Sequence, residues 1–212
     1  MNVVGVIAAG GSGERLGAGR PKAFAVLGGR PMLDWSVEAL GTACDRVVLA
    51  VPPGYECEPD RVAGASSRSA SVRNALEAAP EAELVVVHDA ARPLLEPDLV
   101  RRCILAAGKA DGAIAAAPVT DTVKEADPSG QVVRTLDRSR LWSIQTPQVF
   151  RAGILRRALA TDDATLAAAT DDASLVEALG GTVFVVEASA ENFKVTTAAD
   201  LRRAEGILAS RC

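Results

Sequence analysis

Apolar residues along this chain gather in short continuous runs rather than in strict alternation. Val3-Val4-Gly5-Val6-Ile7, Arg46 to Val51, Leu84 to Val87 and Ala113 to Ala117 each read as a strand buried on both faces, and each ends in a polar, proline- or glycine-rich turn. Between them the period lengthens. Leu33, Val37 and Leu40 fall on one helical face, a small-residue turn from Gly64 to Val72 leads into a helix through Leu76, and a third helix runs from about Pro97 to Gly108. Strands alternating with helices predict an α/β fold, a mostly parallel twisted sheet with helices on both faces. In such sheets ligands collect at the carboxyl ends of the strands, so the segments at 10–22, 64–71 and 88–93 are expected to share one rim.

The rhythm breaks between Pro118 and Leu136. Thr120 to Ala126 and Gln131 to Leu136 read as two strands joined by the turn Asp127-Pro128-Ser129-Gly130. A lone hairpin is marginal in water and has open edges, so this arm needs either the body of its own chain or another chain to lie against. Beyond it, helices are predicted over Ile154 to Leu159 and over Leu175 to Leu179, the latter capped by Thr170 or Asp171. A late strand covers Thr182 to Val186, and a terminal helix begins near Thr197. The 212 residues read as one domain, 1–212, with the arm at 118–136 inside it.

Composition narrows the function classes. The net charge of −4 argues against a broad nucleic-acid surface, and 3% aromatics argues against base-stacking platforms. Four cysteines without paired CxxC spacing point to reduced thiols rather than zinc or disulfides. With no bilayer-length apolar run and no signal-peptide pattern, a cytoplasmic protein without membrane contact is expected.

The chemistry starts at the first strand, which empties into Ala8-Ala9-Gly10-Gly11-Ser12-Gly13-Glu14-Arg15-Leu16 and then Pro21-Lys22. Glycines let successive backbone N–H groups converge, and such a nest binds phosphate oxygens. Arg15 and Lys22 add full positive charges suited to stabilising a phosphoryl group under attack. The segment fits neither the dinucleotide fingerprint nor the Walker pattern, so it predicts a nucleoside triphosphate site of another kind. Asp89, directly after a buried strand, is placed to hold a hydroxyl or a Mg²⁺ ion carried on phosphates. His88, the single histidine, reads as a satisfied structural residue. Arg92, Arg138 and Lys194 are cations in well-separated loops, and their convergence would suit a second phosphate group. A solvated loop accounts for Asp162-Asp163 and a helix N-terminus for Asp171-Asp172. No Ser/His/Asp triad is apparent, as expected of phosphoryl-type chemistry, where positioning and charge neutralisation dominate.

Together with His88-Asp89-Ala90-Ala91-Arg92-Pro93, Asp121-Thr122, Asp137-Arg138, Gln145-Thr146-Pro147-Gln148, Thr170-Asp171-Asp172-Ala173-Ser174 and Asn192-Phe193-Lys194-Val195-Thr196, the first motif makes the whole chain resemble the 2-C-methyl-D-erythritol 4-phosphate cytidylyltransferases. The resemblance implies a Rossmann-like sheet with a protruding β-hairpin arm used in dimerisation. It implies CTP over Ala8, Ala9, Gly10, Gly11 and Gly13, with Gly64, Ser71, Asp89 and Ala90 holding the nucleotide and Mg²⁺ neutralising the triphosphate at Asp89. Arg15, Lys22, Arg138 and Lys194 would be the catalytic cations, with Arg92, Thr122, Thr146 and Thr170 on a small sugar-alcohol phosphate. It also implies a homodimer in which the arm carries Thr122 and Arg138 to the partner's site. Ala65 and Ser66 depart from the family's usual glycine and acidic residue, which bears on base recognition. A ribitol 5-phosphate cytidylyltransferase shares the nucleotide half, and a non-catalytic nucleotide sensor shares the fold.

Overall fold

The computed structural model describes residues 1–11 and 21–211. Its elements in chain order are β1 (Val3–Ala8), β2 (Val26–Leu27), β3 (Arg30–Pro31), α1 (Met32–Gly41), β4 (Arg46–Val51), β5 (Arg61–Ala63), α2 (Arg68–Glu77), β6 (Leu84–Asp89), α3 (Pro97–Ala107) and β7 (Gly112–Pro118). They continue with β8 (Lys124–Ala126), β9 (Val132–Thr135), β10 (Trp142–Arg151), α4 (Ala152–Leu159), α5 (Asp163–Ala168), α6 (Asp172–Ala178), β11 (Val183–Glu187) and α7 (Ala198–Arg211). A seven-stranded sheet has the order β11-β7-β10-β6-β1-β4-β5. All its pairings are parallel except those of β10, which runs antiparallel to both β6 and β7.

The continuous apolar runs are explained by what covers them. Because side chains alternate across a strand, Val4, Val6, Val85 and Val87 face a core built with α2, α4 and α6, while Ile7, Leu84 and Val86 face α1 and α3. A third, smaller cluster seats Leu27, Met32, Leu94 and Val195 against Ala204 of α7. Most of β1 and the whole of β6 are buried, so the polar residues that follow them are delivered to the rim by rigid rods.

Several elements differ from the expectation. The run Trp142–Arg151 is a long strand in the middle of the sheet, although its sequence carries Gln145, Thr146, Pro147 and Gln148 at the centre. Proline removes a ladder donor and normally marks an edge; here it sits in the register shift between Ile144 and Gln148, where pairing to β7 is interrupted anyway. Asp162 and Asp163 start α5 rather than occupying a loop, with Asp162 Oδ1 accepting the Thr165 N–H at 2.9 Å. Asp171 caps α6 through Ser174 N, as expected, whereas Asp172 is completely buried. The arm strands β8 and β9 are shorter than the pattern implied. They pair only with each other, and each of their residues is exposed.

Candidate active site

The ends of β1 and β6 and the turn before α2 open onto a cavity of about 490 Å³, lined by Ala8 to Gly11, Lys22, Ala65 to Arg68, Ser71, Asp89, Ala90 and Lys194. Its floor is set by backbone ties between neighbouring strand ends. Ala9 N donates to Ala50 O at 2.8 Å and Ala90 N to Ala8 O at 3.2 Å. Lys22 N donates to Gly11 O at 3.1 Å, so the two ends of the glycine-rich segment meet at its base. Gly13 and Arg15 lie outside the described residues.

The second wall is the turn before α2. Gly64 N donates to Val51 O at 2.7 Å, and a Cβ at this position would meet that same oxygen at 3.1 Å, so a larger residue would have to push the turn a few tenths of an ångström off β4. Ser71 braces the turn from inside: its Oγ accepts from Ala65 N at 2.9 Å and donates to Ser67 O at 2.8 Å. Ser67 in turn caps α2, accepting from Ala70 N.

A smaller cavity of about 260 Å³ adjoins the first, lined by Arg92, Ile144 to Thr146, Gln148, Thr170 and Asp171 together with Arg68, Asp89 and Lys194. The last three residues line both cavities. Asp89 is their hub. Its Oδ2 accepts from Lys194 Nζ at 2.8 Å and its Oδ1 from Arg68 Nε at 2.7 Å, while Arg68 Nη1 reaches the buried Asp172 Oδ2 at 2.6 Å. Burial alone would raise the Asp89 carboxyl, but Arg68 and Lys194 beside it hold it far below the usual carboxylate range. Burial works against the charge on Arg68 as well, and the carboxylates of Asp172 and Asp89 outweigh it.

Arg92 has a different environment. Its guanidinium donates to the backbone carbonyls of Asn192 (2.8 Å) and Ile144 (3.3 Å), so its partners are neutral, and burial lowers its pKa. A half-buried cation held by carbonyls alone is suited to an arriving anion. Thr146 is a brace: its Oγ1 accepts from Asp89 N at 3.1 Å and contacts His88 Nδ1 at 2.9 Å, while His88 Nε2 faces Arg92 O at 3.2 Å. These partners assign the Nε2–H tautomer, and burial holds the His88 pKa down at about 4. His88 therefore locks the strand end in its neutral form, the structural role its sequence context suggested.

Thr170 stands in the smaller cavity, whereas Thr122 and Arg138 line neither. Thr122 is exposed beside the arm, and Arg138 donates to Thr120 O at 2.6 Å from an exposed 3₁₀ turn. Three residues here had no functional reading from sequence. In sequence, Arg68 is hidden in a serine-rich turn, and Asp172 reads as a plain helix-start acid. Gln148 lies on the unrecognised strand β10, where its Nε2 donates to Asp171 Oδ2 at 2.8 Å.

The profile of the family described as IspD, 2-C-methyl-D-erythritol 4-phosphate cytidylyltransferase, matches residues 3–210. The chain belongs to this family. A 2-C-methyl-D-erythritol 4-phosphate cytidylyltransferase of Frankia casuarinae is 46% identical over 99% of this chain and 82% of its own length. A bifunctional IspD/IspF enzyme of Anaeromyxobacter dehalogenans is 45% identical over 97% of this chain, which spans 57% of that longer protein. The crystal structure of the Thermus thermophilus cytidylyltransferase superposes with a TM-score of 0.84 at 37% identity, covering 99% of this chain and all of that one. Among the described residues no helix is long and apolar enough to cross a membrane. Nor do three or more His, Cys, Asp or Glu side chains group to hold a metal ion among the described residues.

Proposed function

We propose that the larger cavity takes CTP and the smaller one the acceptor, so that the chain transfers CMP from CTP to 2-C-methyl-D-erythritol 4-phosphate. The products are 4-diphosphocytidyl-2-C-methyl-D-erythritol and pyrophosphate, in the non-mevalonate route to isoprenoids. The observation that carries this reading is the junction of Arg68, Asp89 and Lys194, where two cavities of unequal size meet at one cluster of charges. An acceptor phosphate oxygen attacks the α-phosphorus there. The bond to the bridging β-phosphate oxygen breaks, and pyrophosphate leaves with that electron pair.

The segment from Ala8 to Gly13 takes the triphosphate, with Gly64, Ser71 and Ala90 shaping the nucleoside end. Arg15 and Lys22 stabilise the charge that develops on the α-phosphoryl group. Arg92, Lys194 and Thr170 orient the acceptor, and Thr146 holds the backbone beneath it. Magnesium fits as an ion brought in on the triphosphate rather than as a resident one. Asp89 offers a single carboxylate, which is what Mg²⁺ on phosphates commonly takes, and the Lys194 side chain now on Oδ2 is 43% exposed and free to follow a phosphate. When bound, the metal would neutralise phosphate charge.

The protein is a homodimer in this reading, working in the cytoplasm as one domain per chain. The exposed arm packs on the partner and carries Thr122 and Arg138 to the partner's acceptor cavity, which supplies the support a two-stranded ribbon lacks alone. The test is pyrophosphate release with CTP and either 2-C-methyl-D-erythritol 4-phosphate or ribitol 5-phosphate. Efficient turnover of only the first is expected. Turnover of only ribitol 5-phosphate would overturn the acceptor assignment, and CTP binding without release from either would return the chain to a sensor.

A further inference from the structure

Arg68 occupies a position that the transfer reaction does not by itself explain. It is the first residue of α2, directly after the turn that walls the nucleotide cavity, yet its guanidinium crosses to two carboxylates belonging to other parts of the fold. One is Asp89 at the end of β6. The other is Asp172, wholly buried at the start of α6, whose ion-pair partner among the described residues is Arg68 and whose Oδ1 has no hydrogen-bond partner there. The residue before it, Asp171, lines the acceptor cavity and holds Gln148. A single rigid fork thus ties the nucleotide turn, the hub carboxylate and the acceptor-side helix together.

The charges explain why a fork is needed. With Lys194 on Asp89 the four groups sum to neutrality, two cations against two carboxylates. A phosphate that draws Lys194 toward itself removes one cation from Asp89. The carboxylate then keeps its place only if Arg68 stays bonded to Oδ1, and Arg68 is restrained in turn by Asp172. A planar guanidinium can serve two carboxylates at fixed angles, whereas an ammonium is a point charge with no such geometry.

We infer that Arg68 is a positioning residue: by bridging Asp89 and Asp172 it keeps Asp89 and Lys194 in register with the acceptor cavity while the nucleotide occupies its own. This rests on the transfer reading above, and wild-type turnover of CTP with 2-C-methyl-D-erythritol 4-phosphate is the baseline that tests that reading separately. The decisive pair is Arg68→Met and the double variant Arg68→Met with Asp172→Asn. The single variant strands a buried carboxylate and should melt at lower temperature. The double variant removes that carboxylate's charge and should recover most of the lost Tm. Its kcat/KM for the acceptor should nonetheless stay roughly tenfold to hundredfold below wild type, since misplacement of about an ångström at a reacting centre costs that much. Its Kd for CTP, titrated without acceptor or divalent metal so that Asp89 holds no Mg²⁺, should weaken by a much smaller factor than the acceptor kcat/KM. Recovery of acceptor kcat/KM together with Tm would overturn the inference, leaving Arg68 as a counter-charge for Asp172 alone. A CTP Kd weakened as much as the acceptor term would also overturn it, making Arg68 a direct nucleotide contact.

Discussion

The strand β6 and the arm formed by β8 and β9 handle charge in opposite ways. Every residue of β6 is buried, down to His88 and Asp89, and every residue of β8 and β9 is exposed. At the end of β6 each polar group meets a partner supplied by another element: Thr146 from β10, Arg68 from α2 and Lys194 from the loop before α7. On the arm the contacts are local, such as Lys124 with Thr135 and Asp127 with its own turn, where Gly130 adopts a φ of 88°. A strand packed on both sides can fix a carboxylate against two cations because its neighbours cannot yield. A two-stranded ribbon in water fixes little beyond its own turn, so residues attached to it acquire a function only where the ribbon docks.

The largest effect is expected from the two cations proposed to act on the α-phosphate. In the proposed mechanism the charges of Lys22 and Arg15 act on the transition state, so Lys22→Ala and Arg15→Ala should each lower turnover by about a hundredfold or more, the equivalent of roughly 3 kcal/mol. Steady-state kinetics in CTP check it: near-normal kcat with only a raised KM would reduce these cations to binding groups. The arm is tested by complementation. Arg138→Ala in one chain and Lys22→Ala in the other should each be nearly inactive alone. If Arg138 serves the partner, a statistical mixture should regain roughly a quarter of wild-type activity, because about half of the dimers are mixed and each has one intact site. No recovery despite verified subunit exchange would mean that each site is built from one chain.

Acid stability probes the buried end again. His88 has its folded pKa lowered to about 4, below its unfolded value, so the unfolded chain takes up a proton first as pH falls. Its contribution is fully present above the unfolded pKa near 6.5 and drains away as pH drops toward 4. His88→Gln should therefore flatten the loss of unfolding free energy between pH 7 and 4.5 by about 2 kcal/mol, read from denaturant titrations. An unchanged pH slope would show that His88 is not held neutral. Asp89, also depressed, acts below this window, since its stabilising charge is lost only as pH falls under the ordinary carboxylate range. The smallest effect is expected on the arm. Val133→Asp places a charge on a residue that is 61% exposed in the single chain and should weaken dimerisation roughly tenfold, about 1.4 kcal/mol, by analytical ultracentrifugation. A dimer indifferent to the change would take Val133 out of the interface.

How much of this is legible in the sequence depends on whether the signal is local. The buried parallel strands announced themselves as apolar runs, because a strand covered on both faces has no polar side to show. The Asp171 cap, the arm's turn and the glycine-rich exit from β1 are likewise local rules of backbone chemistry. β10 escaped because its centre serves the site rather than the sheet: Gln145, Thr146 and Gln148 are buried polar residues whose partners come from elsewhere in the chain. The only local hint was the apolar pair Val149-Phe150 after the proline. Arg68 and Asp172 escaped for a stronger reason. They are separated by 104 positions, and nothing in the spelling of either neighbourhood reports the other.

The sequence by itself therefore determined the layered α/β architecture, the rim that gathers the strand ends, and the family, since periodicity and motifs are properties of contiguous residues. Only the tertiary structure decided which charges meet. A buried ion pair is a statement about desolvation and distance, and both come into being when β6, α2 and α6 pack together. The arm lies between these cases. Its turn is written locally, while the fold of the single chain leaves both of its strands exposed.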